Sequence, residues 1–503
     1  MKKFSRLLLV TLCSFILSSC GGGSETASIL TTMPTTPVAG PLPASSTLEN
    51  LCQAPRTGND PFNGNKPYPD KQGTLAQEKT WLRSWTDETY LWYREVPTTL
   101  NPANYATAIN YFNVLKTSAI TASGKAKDQF HFTYPSADWD ALSQQGVEFG
   151  YGITWSRAPG TSLPRKRVVA IIEPGSPADK TGLLRGDQLI TVDGADYLYA
   201  NDSASIDKLN AGLFPEKEGE THTLIFKRDG NNVSANLVAA NVASTPVQNI
   251  KAIDTPSGKV GYLTFNSHNS VSELQLINAI KALKAAGVTD LVLDLRYNGG
   301  GLLYVASELA YMIAGPDSTT GKTFEQTQFN DKTPAEAPTP FFSTAYGFSA
   351  PAGQALPYLG LKKVSILTSA GTCSASEAVI NSLQGINVEV NLIGAQTCGK
   401  PYGFYPTPNC GTTYFTIQFK GINNKGFGDY ADGIAATCKV ADDFSHALGD
   451  PAESQLAAAL QYRNTKMCPA ASAGVILRGE FITTKLEIVR PLAKEIAIYS
   501  KLK

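Results

Sequence analysis

Histidine is scarce in this chain, with four in 503 residues, each standing alone. No C-x-x-C pair occurs either, so zinc has no ligand framework to occupy. Charge of one sign is missing too. The formal net charge is zero, 43 cations against 43 anions with no basic stripe, which argues against a nucleic-acid partner. No G-x-S-x-G occurs, so the sequence mark of an α/β-hydrolase elbow is absent. No internal period suggests a solenoid. Beyond the leader, no run reaches the roughly 18 apolar residues needed to span a bilayer. Metal-dependent chemistry, nucleic-acid binding and a membrane-threaded architecture are therefore not expected, and no cofactor is implied.

What is present is an ordinary globular composition, 17% charged and 42% hydrophobic, on a chain long enough for two or three domains. The first residues read as a targeting segment: Lys2, Lys3 and Arg6, then an apolar run over 7–17. The ending Leu17-Ser18-Ser19-Cys20 resembles a bacterial lipobox, which implies cleavage before Cys20 and a lipid on its thiol. Residues 21–50, rich in Ser, Thr, Pro, Ala and Gly, read as a flexible tether. The protein is thus expected in a bacterial envelope, lipid-anchored. Gly22 stands where an aspartate often retains lipoproteins at the inner membrane, so an outer-membrane or periplasmic-face location is expected if the source is Gram-negative.

Eight cysteines include Cys13 in the leader and Cys20 at the proposed anchor. The other six are Cys52, Cys373, Cys398, Cys410, Cys438 and Cys468, an even number that suggests disulfides in an exported protein. Six cysteines allow about fifteen connectivities, and sequence does not choose among them.

Residues 51–145 read as a small helical N-terminal domain. Trp81, Trp85, Tyr90, Leu91 and Trp92 recur near helical spacing until Pro97, and a second helix is expected over 105–115. Residues 146–243 are rich in short strands. The run 168–194 places a strand, Gly175-Ser176-Pro177, a short helix, Gly186-Asp187 and another strand in one order. It closely resembles PDZ domains of bacterial proteases. In such domains a loop matching Gly150, Tyr151, Gly152 and Ile153 holds a peptide's C-terminal carboxylate, while the peptide adds to an exposed strand edge.

From 244 to 468 strands feed helices, with glycine-rich turns at the strand ends, a pattern that places sites at the C-terminal edge of a sheet. A strand over 259–265 leads to a capping box at Ser270 and Glu273 that opens a helix. A buried strand over 289–296 ends in Asn298-Gly299-Gly300-Gly301. A long polar insertion, about 316–360, follows the next helix. The run Val364, Ile366, Leu367 then enters a small-residue turn holding Ser374, a helix starts at Ala375, and a further strand ends in a loop carrying Lys400. After a turn at 448–451, a helix packing Leu456 and Leu460 is expected. Residues 469–503 form a C-terminal tail with no pattern of their own.

A hydroxyl at a strand-to-helix junction with a lysine one strand later suits a Ser-Lys dyad. The lysine must then work without its proton, which calls for a dry pocket such as Tyr402 and Phe404 provide. The order Asp294-Leu295-Arg296-x-Asn298-x-Gly300-Gly301, then Ser374-Ala375-Ser376-Glu377, then Gly399-Lys400 resembles the carboxyl-terminal processing proteases, Ser-Lys peptidases of family S41 with an embedded PDZ domain. The resemblance covers about residues 74–460. It implies a multidomain α/β fold: a crotonase-like protease core, a mostly-β PDZ domain and a small helical N-terminal domain. It also implies cleavage of exported proteins with accessible C-termini, Ser374 as nucleophile, Lys400 as base, and the backbone N–H groups of Ala375 and Gly300 as oxyanion donors.

Three features depart from that family. Phe404 stands where a glutamine usually holds the lysine, Pro401 follows Lys400, and Cys373 and Cys398 flank the dyad, either as a disulfide or as free thiols. Ser374-x-x-Glu377 is also a plain capping box. Ser376 is the second candidate nucleophile, and His268 the second candidate base. The rival function is a lipid-anchored PDZ scaffold with a degenerate core that binds peptides without cleaving them.

Overall fold

The computed structural model describes residues 41–160, 162–470, 475–477, 480–482 and 486–489. Cys20, the leader and most of the tether lie outside the described residues. From Pro43 onward the chain belongs to one unit. No helix among the described residues is long and apolar enough to cross a membrane.

The central sheet has six strands in the order Val247–Thr255, Gly258–Phe265, Asp290–Asp294, Lys363–Thr368, Glu389–Gly394 and Cys438–Lys439. The first pair is antiparallel and the other four pairings are parallel. Asp290–Asp294 is buried along its whole length, as its near-continuous apolar run predicts for a central strand. Helices Ser272–Ala285, Leu303–Ala314 and Ala375–Gly385 bury their apolar stripes in the main core. Helix Ser454–Thr465 contributes Leu456 and Leu460 to the cluster with Val260, Val292 and Leu367. Parallel pairing has one consequence for function. The turns that follow Phe265, Asp294, Thr368 and Gly394 all leave the same edge of the sheet.

Several expectations need correction. The capping box at Ser270 is not made: Ser270 Oγ donates to the Ser143 carbonyl at 3.1 Å, and the helix begins at Ser272. Glu273 instead accepts from the backbone N–H groups of Gly347, Ser349 and Ala350 at 2.7–2.9 Å, so it anchors the insertion. The helix expected over 105–115 spans only Ala108–Phe112. The polar insertion contains strand Thr323–Phe329, which joins a four-stranded sheet with Thr339–Pro340, Phe419–Ile422 and Tyr402–Gly403. The N-terminal helix Leu75–Thr89 shares the main core: Trp81 and Trp85 stack at 5.4 Å, and Trp81 meets Tyr414 at 5.4 Å.

The PDZ-like sheet runs Asn231–Val238, Thr221–Arg228, Gln188–Val192, Arg167–Ile172, Ile153–Arg157 and then Glu487–Val489. The last strand comes from the C-terminal segment, where the sequence offered no reading. The edge of Ile153–Arg157 expected to stand exposed is therefore paired. Arg185 ties this sheet to the core. Its guanidinium donates to Asp442 Oδ1 at 2.7 Å and to the Tyr297 hydroxyl at 2.6 Å. Asp442 also accepts from Arg296 at 2.9 Å, and Arg296 is fully buried between Asp294 and Glu453.

The six cysteines pair as Cys52–Cys410, Cys373–Cys398 and Cys438–Cys468. The alternative of two free thiols at Cys373 and Cys398 is thereby excluded.

Candidate active site

Three neighbouring strands of the central sheet deliver the three candidate elements. The middle one, Lys363–Thr368, leads to Ser374; Asp290–Asp294 leads to the glycine turn; Glu389–Gly394 leads to Lys400. Ser374 and Lys400 line one small pocket together with Leu303, Glu325, Ala378, Pro401, Tyr402, Phe419 and Tyr430.

Ser374 sits just before helix Ala375–Gly385 with φ 59° and ψ −116°. A side chain in that region of backbone space costs about 1–3 kcal/mol and persists only where the surroundings impose it. Its hydroxyl is buried and has no hydrogen-bond partner among the described residues. The expected capping-box arrangement of Ser374 and Glu377 is present, but only one of its two contacts has the geometry of a hydrogen bond. Glu377 accepts the Ser374 N–H at 2.9 Å, while the Ser374 hydroxyl makes no hydrogen bond.

Glu377 does much more than cap. Its Oε1 also accepts from the Thr397 hydroxyl at 2.5 Å and the Gly399 N–H at 2.9 Å, and its Oε2 accepts from the Lys400 N–H at 2.8 Å. One buried carboxylate thus fastens the backbone of Ser374 to the backbone of Lys400. Burial raises the Glu377 carboxyl above its ordinary range, and these hydrogen bonds oppose that shift. The three backbone N–H donors among these favour the ionised form, which only accepts. The Cys373–Cys398 disulfide runs alongside this junction. The Ser-x-x-Glu spacing marks Glu377 as a cap and as the end of the Ser374–Glu377 motif, but not as a tie to Lys400.

Lys400 is 1% exposed. Its amine lies 4.7 Å from the centre of the Phe130 ring and 4.4 Å from that of Phe404. The position that usually carries glutamine therefore contributes an aromatic face. Phe130 comes from the N-terminal region and Glu325 from the insertion, and no sequence signal singled out either. Glu325 lies over Gly421, where a Cβ would sit 2.3 Å from its carboxyl carbon.

The glycine turn packs directly on the nucleophile candidate. A Cβ on Gly300 would stand 2.8 Å from Ser374 Cβ and 2.9 Å from the Ala375 nitrogen, so only glycine fits. The Gly300 N–H, however, donates to Asn298 Oδ1 at 2.9 Å. Asn298 also donates to the Phe265 carbonyl at 2.9 Å, which fixes the turn. Ala375 opens its helix, so its N–H is among the donors that helix geometry leaves unused.

The two second choices fall elsewhere. Ser376 Oγ donates to the Asn298 carbonyl at 3.1 Å from within the first helical turn. His268 contacts Asn298 through Nδ1 at 3.1 Å, and burial lowers its pKa to about 3. It is not among the residues that line the pocket with Ser374. Among the described residues, Cys373, Glu377 and Cys398 bring potential metal-ligand atoms within 4.8 Å of one another. The two sulfurs are bonded to each other, so they offer no thiolates.

In the PDZ-like unit, Gly150 and Gly152 take φ of 141° and 77° around Tyr151, and Ile153 begins the strand that follows. A Cβ on Gly152 would lie 2.3 Å from Ser176 Cβ, so the loop closes tightly on the start of helix Pro177–Lys180.

Three family models match. Residues 259–415 match Peptidase family S41, 77–134 match the Peptidase S41 N-terminal domain, and 152–238 match the PDZ domain. A carboxyl-terminal-processing protease of Picosynechococcus sp. is 28% identical over 236 residues, 45% of this chain and 49% of that protein. A chloroplastic C-terminal processing peptidase of Tetradesmus obliquus is 30% identical over 178 residues, 33% of this chain and 36% of that protein. The chain thus spans half or less of these curated relatives. A solved S41 protease from Bacteroides fragilis shares the fold, with a TM-score of 0.60 at 24% identity, covering 80% of this chain and 98% of that one.

Proposed function

This chain is a member of peptidase family S41 with an N-terminal domain and an embedded PDZ domain, and on that premise we propose that it is a serine endopeptidase of the C-terminal-processing kind. The observation that carries the proposal is the buried Ser374 hydroxyl, held in a strained turn without a hydrogen-bond partner, in one pocket with Lys400. A strained residue is kept where its placement serves a purpose.

In this reading Ser374 Oγ attacks the scissile carbonyl carbon while its proton passes to Lys400 Nζ. The enclosure by Phe130 and Phe404 supplies the water-poor setting that a lysine base requires. The oxyanion forms beside the N–H of Ala375, and Gly300 adds a second donor once its bond to Asn298 is released. Lys400 then returns the proton to the leaving amine, and the acyl-enzyme is hydrolysed by a water that Lys400 deprotonates. The core, 244–468, is assigned as crotonase-like, beside a PDZ domain over 146–243 and an N-terminal domain over 51–145. The PDZ domain receives substrate C-termini at the Gly150–Ile153 loop. Cys20 carries the lipid that holds the enzyme at the bacterial envelope, where exported proteins are its substrates.

The test is casein cleavage by the soluble form lacking its anchor. Ser374→Ala and Lys400→Ala should each lower the rate about 10³-fold or more. Activity that survives both would remove this site. The rival scaffold reading has one observation in its favour, the Gly300 N–H already spent on Asn298. A wild-type protein with no activity under either reducing or oxidising conditions would favour it.

A further inference from the structure

Strand Ile153–Arg157 begins at the end of the Gly150–Ile153 loop and has two edges. One pairs with Arg167–Ile172. The other pairs antiparallel with Glu487–Val489, setting Glu487 opposite Arg157, Ile488 opposite Ser156 and Val489 opposite Trp155. The tail thus advances toward the loop as its numbering rises. That is the polarity of a peptide whose C-terminus is captured by the loop while its backbone adds to the sheet. The hold is modest: three residues of ladder, plus a 3.4 Å hydrogen bond from Ser156 Oγ to the Glu487 carbonyl.

Side chains give the segment a second grip. Leu486 and Ile488 pack with Val475 on Val168, Ala170 and Ile171 of the PDZ-like sheet, and on Tyr297, Phe444 and Leu448 of the core. The same segment therefore touches both the sheet that would receive substrate and the turn beyond the central strand.

We infer that Leu486–Val489 is an intramolecular ligand of the PDZ-like sheet, which an incoming peptide must displace from the edge of Ile153–Arg157. The inference rests on reading residues 146–243 as a peptide-binding module. A tethered segment meets its site at an effective concentration in the millimolar range, so even a three-residue ladder competes with a free peptide. If the edge is open about a tenth of the time, the apparent Kd for an external peptide rises about tenfold.

The test uses the full soluble chain in the Ser374→Ala background, so that nothing is cut. The probe is a fluorescein-labelled peptide of residues 484–489 with a free α-carboxylate at Val489, followed by anisotropy. Ile488→Asp puts a carboxylate into the apolar cluster and should release the segment. The peptide should then bind about tenfold more tightly, and the backbone amides of Ile153–Arg157 should lose hydrogen-exchange protection. Ile488→Ser is the milder variant and should move both readings the same way, which covers the case in which Ile488→Asp fails to fold. Measurable binding of unchanged affinity in the released variants overturns the inference and leaves the PDZ reading intact. No binding by the parent or by either variant overturns both.

Discussion

Two places in this molecule hold the backbone in place, and they are built in opposite ways. Around Ser374, one buried carboxylate receives the N–H groups of Ser374, Gly399 and Lys400, and a disulfide joins the residues just ahead of each partner. At the edge of Ile153–Arg157, a three-residue strand is held by a short ladder and two apolar side chains. The first arrangement fixes the backbone on both sides of the proposed Ser374–Lys400 dyad. The second fixes a strand only as firmly as an exchange of partners allows. Preorganisation belongs where bonds are made, and weak local stability belongs where ligands come and go.

The largest effect is expected from breaking the tight region. Glu377→Ala leaves three backbone donors and the Thr397 hydroxyl without their acceptor in a buried site. The stability loss should be about 3–5 kcal/mol by urea unfolding, since each buried donor left unsatisfied costs about 1–3 kcal/mol before relaxation. Casein cleavage should fall by about 10²-fold or more, since the Ser374 and Lys400 backbones lose their common tie. Peptide affinity at the PDZ-like edge should stay within about twofold in the folded fraction, by the additivity of distant sites. A parallel drop in that affinity would show that the two regions are one mechanical unit, and the contrast drawn above would fail.

A smaller effect is expected where the regions meet. Burial alone would raise the Asp442 carboxyl, but Arg185 and Arg296 outweigh it and hold the group below its usual range. A carboxyl lowered in the folded state adds stability above its unfolded pKa of about 4, and that stability is lost as pH falls through the folded value. Arg185→Met should therefore cost about 1–3 kcal/mol at pH 7, because Arg296 still partners Asp442. The difference from wild type should shrink as the pH is taken below about 4. A difference that grows on acidification would mean that Asp442 does not carry the link.

The contrast between the regions also explains what the sequence made legible. Ser374, Lys400 and the glycine turn could be read because each follows its own strand of a parallel sheet, and topology brings strand ends together. Glu377 is visible as the fourth residue of a cap and of the Ser374–Glu377 motif, but spacing along a helix does not reveal that its carboxylate reaches Gly399 and Lys400. Phe130 reaches the Lys400 amine from the N-terminal region and Glu325 reaches the pocket from the insertion, so no local pattern marks them. The tail was opaque for a stronger reason. A three-residue strand has almost no periodicity, and its partner lies more than 300 positions earlier in the chain. The exchangeable contact is weak locally, and for that same reason it leaves little trace in sequence.

The smallest predicted effect concerns strain, the property that separates the two regions most sharply. Ser374 holds φ 59° without being glycine, whereas Ser156 on the PDZ-like edge is not among the residues with positive φ. Ser374→Ala removes the hydroxyl and keeps the strain, while Ser374→Gly removes both. The glycine variant should therefore be more stable than the alanine variant by about 1 kcal/mol, after the entropy that glycine adds to the unfolded chain is set against the relief. On the edge strand the order should reverse, with Ser156→Gly less stable than Ser156→Ala by about 0.5–1 kcal/mol. Urea midpoints on the four variants read this directly. Glycine losing at both positions would mean that the Ser374 turn stores no strain, and the stability cost of the candidate nucleophile would have to lie elsewhere in the turn.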